Sequence, residues 1–183
     1  MRTSTRTPSH TPHASRGIAI LIVRTVLGIA LLASSGPALA GYTYVRADTI
    51  PDSARIEPTA LVSLLEAAPA QRPLVLQVGA KVLFDRSHVP GAEYIGPGED
   101  DDGLAALRTR VAGLPRTAFI VIYCGCCPWD HCRNVGGAYA ALIRLGYTNV
   151  KVLYLPSDFD SNWVDLGYPV ERGGSTAPAV LLR

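Results

Sequence analysis

Short apolar runs separated by turn residues dominate the middle of the chain. Leu74–Val78 (LVLQV), Thr117–Tyr123 (TAFIVIY) and Val150–Leu155 (VKVLYL) consist largely of β-branched and other apolar residues. Apolar runs of this length without polar alternation are typical of strands that are buried on both faces. Ala92–Ile95 (AEYI) predicts one more short strand. The pattern therefore predicts a small, mainly parallel sheet within an α/β domain.

Helical patterns lie between and beside these runs. A stretch that opens at Pro58 places its leucines on one face of a short helix. Proline is well tolerated in the first turn of a helix, so Pro58 is a suitable start. Further helices are predicted over Leu104–Ala112, Asn134–Leu145 and Phe159–Leu166. Residues 79–103 are rich in glycine and proline, which predicts turns there and no helix. The succession of strand, loop, helix and strand indicates a right-handed parallel crossover.

The first forty residues have the pattern of an export signal. They carry four arginines and no acidic residue, and the apolar run Val26–Ala33 is followed by small residues up to Ala40. We therefore expect cleavage after Ala40 and export, most simply to a bacterial periplasm. An uncleaved membrane anchor over Gly17–Ser34 is the alternative. Arg24 argues against the anchor, because a charge at the centre of a spanning helix costs about 2.5–3.5 kcal/mol.

The rest of the chain predicts one domain with a short extension at each end. Residues 41–55 are polar and unpatterned, which predicts an extended lead-in; residues 56–174 carry the folded domain; residues 175–183 form a flexible tail. Removal of the signal leaves 13 basic and 15 acidic residues, a net charge of −2. Because no basic stripe remains, we expect no nucleic-acid partner, and no membrane association after cleavage.

The candidate chemistry lies in one loop. All four cysteines (Cys124, Cys126, Cys127 and Cys132) fall within the segment CGCCPWDHC, directly after the strand predicted at Thr117–Tyr123. Reactive sites of open α/β sheets form at the carboxyl ends of strands, where the next helix directs its N–H groups and positive dipole end. A thiol in that position loses its proton more easily.

Two structural uses of the thiols compete with catalysis. Disulfide staples are disfavoured, because bridges within nine residues close very short loops of the unfolded chain. A bound metal could take three or four of the thiolates. Metal sites more often combine two separated ligand pairs, however, and here every ligand comes from one loop. The sequence therefore favours a site without metal or cofactor.

Four segments, in this order, resemble motifs of rhodanese-like domains. They are SHVPGA at residues 87–92, IVIYC at 120–124, LGYTNVKVL at 145–153 and GYPV at 167–170. The likeness extends over about residues 56–173, and the CGCCPW loop resembles that of one subgroup of the family. The resemblance implies the rhodanese-like α/β fold, a small parallel sheet flanked by helices on both faces, and sulfurtransferase activity.

The resemblance also implies roles for the loop residues. Cys124 is the catalytic residue, which takes sulfane sulfur from a small donor as a persulfide and passes it to a thiol acceptor. The three further thiols are a departure from the family pattern; independently of the resemblance, Cys127, with Cys126 and Cys132, is a candidate resolving or auxiliary thiol. The remaining expected loop residues of the site are Gly125, Pro128, Trp129, His131 and Arg133. Where the family often has Asp-x-Arg, this chain has Gln77-Val78-Gly79.

Two other functions stay open at this point. Cys124 and Cys127 have the spacing of a dithiol redox pair, which would work with a protein redox partner. The domain could also be a non-catalytic accessory protein that binds metal or sulfur.

Overall fold

The computed structural model describes residues 46–173 of the 183-residue chain. The proposed export signal at residues 1–40 and the tail at residues 175–183 lie outside the described residues. Between residues 46 and 173, no helix has both the length and the apolar character needed to cross a bilayer.

The centre of the fold is a five-stranded sheet in which every pair of neighbouring strands is parallel. The strands are β1 (Arg55–Ile56), β2 (Leu74–Gln77), β3 (Glu93–Tyr94), β4 (Ile120–Tyr123) and β5 (Val150–Leu153). Their order across the sheet is β1-β5-β4-β2-β3. The strand that precedes the cysteine loop, β4, is therefore the middle strand, and all four of its residues are buried.

Within residues 46–173, four α-helices accompany the sheet: α1 (Pro58–Glu66), α2 (Lys81–Arg86), α3 (Asp101–Val111) and α4 (Arg133–Arg144). Short 3-10 turns occur at Ala47–Thr49, Asp52–Ala54, Pro69–Gln71 and Trp129–His131, and a π-helical turn occurs at Asp160–Val164. The predicted helix at Phe159–Leu166 thus contains this π-helical turn.

The core consists of two apolar layers, one on each side of the sheet. Successive residues of β4 alternate between them: Ile120 and Ile122 pack in one layer, and Val121 and Tyr123 in the other. Helices α3 and α4 cover the first layer, and α1, α2 and the π-helical turn cover the second. The predicted small parallel sheet with helices on both faces is confirmed.

Helix α2 is one element that the sequence pattern missed, because residues 79–103 predicted turns around the short strand at Ala92–Ile95 and no helix. Phe84 is the single buried residue of this six-residue helix, so no apolar repeat marks it in the sequence. An ion pair of 2.6 Å between Lys81 and Asp85, four positions apart, supports the exposed side. The turn-rich composition correctly indicates the short connections around the helix.

The segment predicted as an unstructured lead-in packs more closely than its polar sequence suggests. Ala47 and Ile50 are fully buried in the layer that α4 covers. The guanidinium of Arg46 donates a hydrogen bond of 2.9 Å to the carbonyl oxygen of Asp130, within the cysteine loop. Isolated apolar residues among polar ones show no period, which is why the sequence pattern did not reveal this packing.

Candidate functional site

The site is organised around Cys124, the residue that follows β4 directly. Its side chain is 2% exposed. The buried side chain of Gln77 donates a hydrogen bond of 3.1 Å to the carbonyl oxygen of Cys124 and accepts one of 3.2 Å from the N–H of Gly79. A Cβ atom added to Gly79 would lie 2.8 Å from the Cys124 Sγ. The QVG segment therefore holds the backbone of Cys124 and leaves space for its sulfur.

A glycine turns the chain back immediately after this cysteine. Gly125 has a φ of 77°, and an added Cβ would lie 2.6 Å from the Cβ of Phe159. The carbonyl oxygen of Gly125 accepts a hydrogen bond from the N–H of Phe159, and the N–H of Trp129 donates to the carbonyl oxygen of Pro156. These bonds fasten the loop to the segment after β5, and the loop returns to the cluster at Cys132.

The folded loop brings the four thiols together. All four Sγ atoms lie within 4.8 Å of one another. The distance between the sulfurs of Cys124 and Cys126 is 2.9 Å, and that between the sulfurs of Cys126 and Cys127 is 3.2 Å. Cys124 and Cys132 are buried, Cys127 is half-buried and Cys126 is exposed, and all four are free thiols. Solvent therefore reaches the cluster mainly at Cys126.

Asn134, the second residue of α4, is a site residue that the sequence analysis did not identify. It is 6% exposed, and its side-chain amide donates to the Sγ atoms of Cys124 (3.3 Å) and Cys126 (3.7 Å). The side-chain carbonyl oxygen of Asn134 accepts a hydrogen bond of 3.2 Å from the backbone N–H of Glu99. The available signal was its place in the first turn of a helix that begins directly after the cysteine loop.

Contacts between the thiols shift the pKa values of Cys124 and Cys126 in opposite directions. Hydrogen bonds to Cys126, Cys127 and Cys132, together with burial, raise the pKa of Cys124 above that of an ordinary thiol. Hydrogen bonds from Cys124 and then from Cys132 lower the pKa of Cys126. The exposed Cys126 is therefore the first of this pair to become a thiolate, and the buried Cys124 donates its proton toward it.

A cavity of about 10 Å³ adjoins the cluster. The predicted loop residues Gly125 and Trp129 line it together with Cys124, Cys127 and Cys132. A space of this size holds about one water-sized group. The cavity can therefore take one added atom beside the sulfurs, whereas a larger donor molecule must approach from outside.

The other predicted loop residues do not line this cavity. Pro128 precedes the Trp129–His131 turn. His131 and Arg133 are exposed and, with Arg46, line a separate cavity of about 270 Å³. Both side chains thus form part of the surface beside the loop.

Stacking fixes the position of Trp129. The guanidinium carbon of Arg55 lies 5.0 Å from the centre of its ring, and the ring of Tyr154 meets it edge-on with centres 5.0 Å apart. Both contacts attach this part of the cysteine loop to β1 and to the end of β5.

Comparison with known proteins defines the class of fold. No protein-family model matches the sequence, and the search of curated proteins gave no match. Among solved structures, the rhodanese-like domain of Alr3790 from Anabaena sp. is 21% identical, with 71% of this chain and 92% of that chain covered and a TM-score of 0.47. Thiosulfate sulfurtransferase from Pseudomonas aeruginosa is 17% identical over 67% of this chain and 22% of that chain, with a TM-score of 0.46.

A third similar structure is EanB, which was solved with a cysteine persulfide and ergothioneine. It is 19% identical over 64% of this chain and 28% of that chain, with a TM-score of 0.50. The fold is that of rhodanese-like domains, the type of fold found in sulfurtransferases, and the expected fold is confirmed. At these identities the likeness concerns the fold alone. The resemblance of the CGCCPW loop to one subgroup stays a prediction.

Proposed function

We propose that the protein is a sulfurtransferase that carries sulfane sulfur as a persulfide on Cys124. The observation that carries this proposal is the position of the Cys124 thiol. It stands at the carboxyl end of the middle strand of a rhodanese-like fold, and a cavity for about one small group adjoins it. A persulfide adds a single sulfur atom to the thiol, which is the size of group that this cavity admits.

The reaction needs a small sulfur donor and a thiol acceptor. With thiosulfate as donor, the Cys124 sulfur attacks the outer sulfur, the sulfur–sulfur bond of the donor breaks, and sulfite leaves with the electron pair. The Cys126 sulfur, 2.9 Å away, is placed to take the proton of the Cys124 thiol. An acceptor thiolate then attacks the outer sulfur of the persulfide, and Cys124 leaves as a thiolate.

The contact between Cys124 and Cys126 supports dithiol redox chemistry as a second candidate function. Attack by the Cys126 thiolate on the inner sulfur of the persulfide would release hydrosulfide and form a Cys124–Cys126 disulfide. A protein redox partner that supplies a dithiol would then reduce this disulfide. The sequence spacing indicated Cys127 for this role, and the distance of 2.9 Å between the sulfurs of Cys124 and Cys126 adds Cys126.

Intact-mass measurement tests the leading proposal. The reduced protein and its Cys124→Ala variant are incubated with thiosulfate or a polysulfide and then weighed. We expect an increase of about 32 Da, the mass of one sulfur atom, in the unaltered protein and none in the variant. An adduct that survives the substitution would show that another residue carries the sulfur.

The Cys126→Ser variant separates the two candidate functions. A sulfurtransferase that uses Cys124 still gains the adduct in this variant, but more slowly, because the Cys126 sulfur is no longer present to take the proton of the Cys124 thiol. If the protein is instead a redox protein, the unaltered chain loses two hydrogens as the disulfide forms. The Cys126→Ser variant keeps these hydrogens. Loss of two hydrogens in the Cys126→Ser variant would assign the second thiol to Cys127 or Cys132.

We also propose that the protein is exported to a bacterial periplasm and cleaved after Ala40. The basic start, the apolar run and the small residues before Gly41 support this proposal. N-terminal sequencing of the protein recovered from a periplasmic extract is expected to begin at Gly41. Recovery of a chain that still carries the first forty residues, in the membrane fraction, would favour the anchor.

A further inference from the structure

The four-thiol cluster has the composition and size of a metal site. The Sγ atoms of Cys124, Cys126, Cys127 and Cys132 lie between 2.9 Å and 4.8 Å apart. Tetrahedral zinc–thiolate sites have bonds of about 2.3 Å, which places their sulfurs about 3.8 Å from one another. That spacing falls inside the observed range, so no pair of sulfurs has to change its separation by more than about 1 Å to match such a site. We propose that these four cysteines bind one Zn²⁺ ion.

The path of the loop explains how a single short segment can supply all four ligands. A set of ligands from one nine-residue segment is unusual, because such a segment must fold back on itself to surround an ion. Here Gly125, in its left-handed conformation, makes the first reversal, and the turn at Trp129–His131 makes the second. As a result, Cys132 returns to the three sulfurs that precede it.

The surroundings of the sulfurs suit negative charge. Asn134 donates side-chain N–H groups to the sulfurs of Cys124 and Cys126. Cys132 also stands at the N-cap of α4, near the positive end of the helix dipole. Such hydrogen bonds orient the ligands of a metal and stabilise their charge.

The donor set indicates the class of ion. The group holds sulfur donors only; among residues 46–173, no histidine or carboxylate joins it. The Nε2 atom of His131 instead lies 3.6 Å from the Oδ2 atom of Asp130. Thiolates select zinc and other thiophilic ions over Mg²⁺ and Ca²⁺, which prefer oxygen ligands. Because Cys124 belongs to the set, Zn²⁺ and sulfane sulfur would compete for the same atom.

Titration with Co²⁺, a coloured substitute for Zn²⁺, tests the site. The purified protein is reduced, freed of metal and titrated without oxygen. We expect one Co²⁺ per chain, strong thiolate-to-cobalt charge-transfer absorption and the ligand-field bands of tetrahedral cobalt, all abolished by one equivalent of Zn²⁺. Absence of charge-transfer absorption, or an octahedral spectrum, would overturn the proposal.

Two variants locate the ion. Cys132→Ser is expected to weaken Co²⁺ binding and to change the charge-transfer spectrum, because one of four thiolates is lost. Asp130→Asn, two residues away, removes an exposed carboxylate of the same loop and is expected to leave both unchanged. Equal affinity and an equal spectrum in Cys132→Ser would contradict the four-thiolate site. Circular dichroism of both variants checks that they are folded.

The sulfur-loading experiment distinguishes this inference from the proposed function. Metal-free protein that gains one sulfur on Cys124 but gives no cobalt spectrum would support sulfur transfer and refute the metal site. The reverse pattern would support the metal site alone. If both assays succeed, one equivalent of Zn²⁺ is expected to prevent the mass increase of about 32 Da. Unchanged sulfur loading in the zinc-bound protein would remove Cys124 from the ligand set.

Discussion

Gly125 illustrates how one residue decides whether the cysteine loop can form. Its φ of 77° is unfavourable for other residues, and a side chain there would meet the Cβ of Phe159. We expect Gly125→Ala to lower the free energy of unfolding by about 1–3 kcal/mol, measured by urea denaturation.

Gly113 provides a matched control for this substitution. A Cβ added there has no heavy atom within 4 Å, and its φ lies outside the left-handed range. Gly113→Ala is therefore expected to leave stability unchanged or to raise it slightly, by reducing the freedom of the unfolded chain. Equal stability of the two variants would contradict the role given to Gly125.

Asn134 offers a second test at the scale of a residue. Asn134→Asp keeps an oxygen that can accept the hydrogen bond from Glu99, but it replaces the N–H donor that faces the sulfur of Cys124. We expect its Co²⁺ affinity to fall by about 10–100-fold, as is usual when a hydrogen bond to a metal ligand is lost.

Asn134→Ala, which loses the hydrogen bonds to the two sulfurs and the one from Glu99, separates the two effects. It should match Asn134→Asp in Co²⁺ affinity if the lost donor is the cause, and it should be the less stable variant if the bond to Glu99 matters for folding. Unaltered cobalt binding in both variants would show that the side chain serves the fold only.

At the scale of elements, α2 depends on one aromatic anchor. Phe84 is fully buried, stacks on His88 with ring centres 3.8 Å apart and meets Tyr94 at 5.6 Å. Phe84→Ala is expected to lower the free energy of unfolding by about 3–5 kcal/mol, because it leaves a cavity in the core. Urea denaturation measures the change.

Val82, in the same helix, gives the control. It is 71% exposed, so Val82→Ala is expected to change stability by no more than about 0.5 kcal/mol. A similar loss in both variants would mean that α2 is weakened as a helix and that Phe84 is no special anchor.

The comparison of α2 with the central strands shows which parts of the fold could be predicted from the sequence. Runs such as Thr117–Tyr123 predicted β2, β4 and β5, because strands buried on both faces are apolar at nearly every position. Helix α2 has one buried residue and therefore no period. At the site, the cluster of cysteines was evident from the sequence. The contribution of Asn134 was not, because it depends on the direction in which α4 leaves the loop.

At the scale of the molecule, the lead-in belongs to the domain. Ile50 is fully buried in the layer under α4, before the predicted start of the domain at residue 56. Ile50→Ala is expected to lower the free energy of unfolding by about 2–5 kcal/mol, measured by urea denaturation. Asp48→Ala, a change at an exposed position of the same segment, is expected to have little effect. Equal effects would mean that the lead-in contributes little to the core.

The chain contains two tryptophans, and the sheet separates them. Trp129 lines the cavity beside the thiols, whereas Trp163 is fully buried in the opposite layer. In a Trp163→Phe protein, all indole fluorescence would therefore originate next to the cysteine cluster. Changes at the sulfurs could then be followed in real time by light emission, without a label and without an assay for the acceptor.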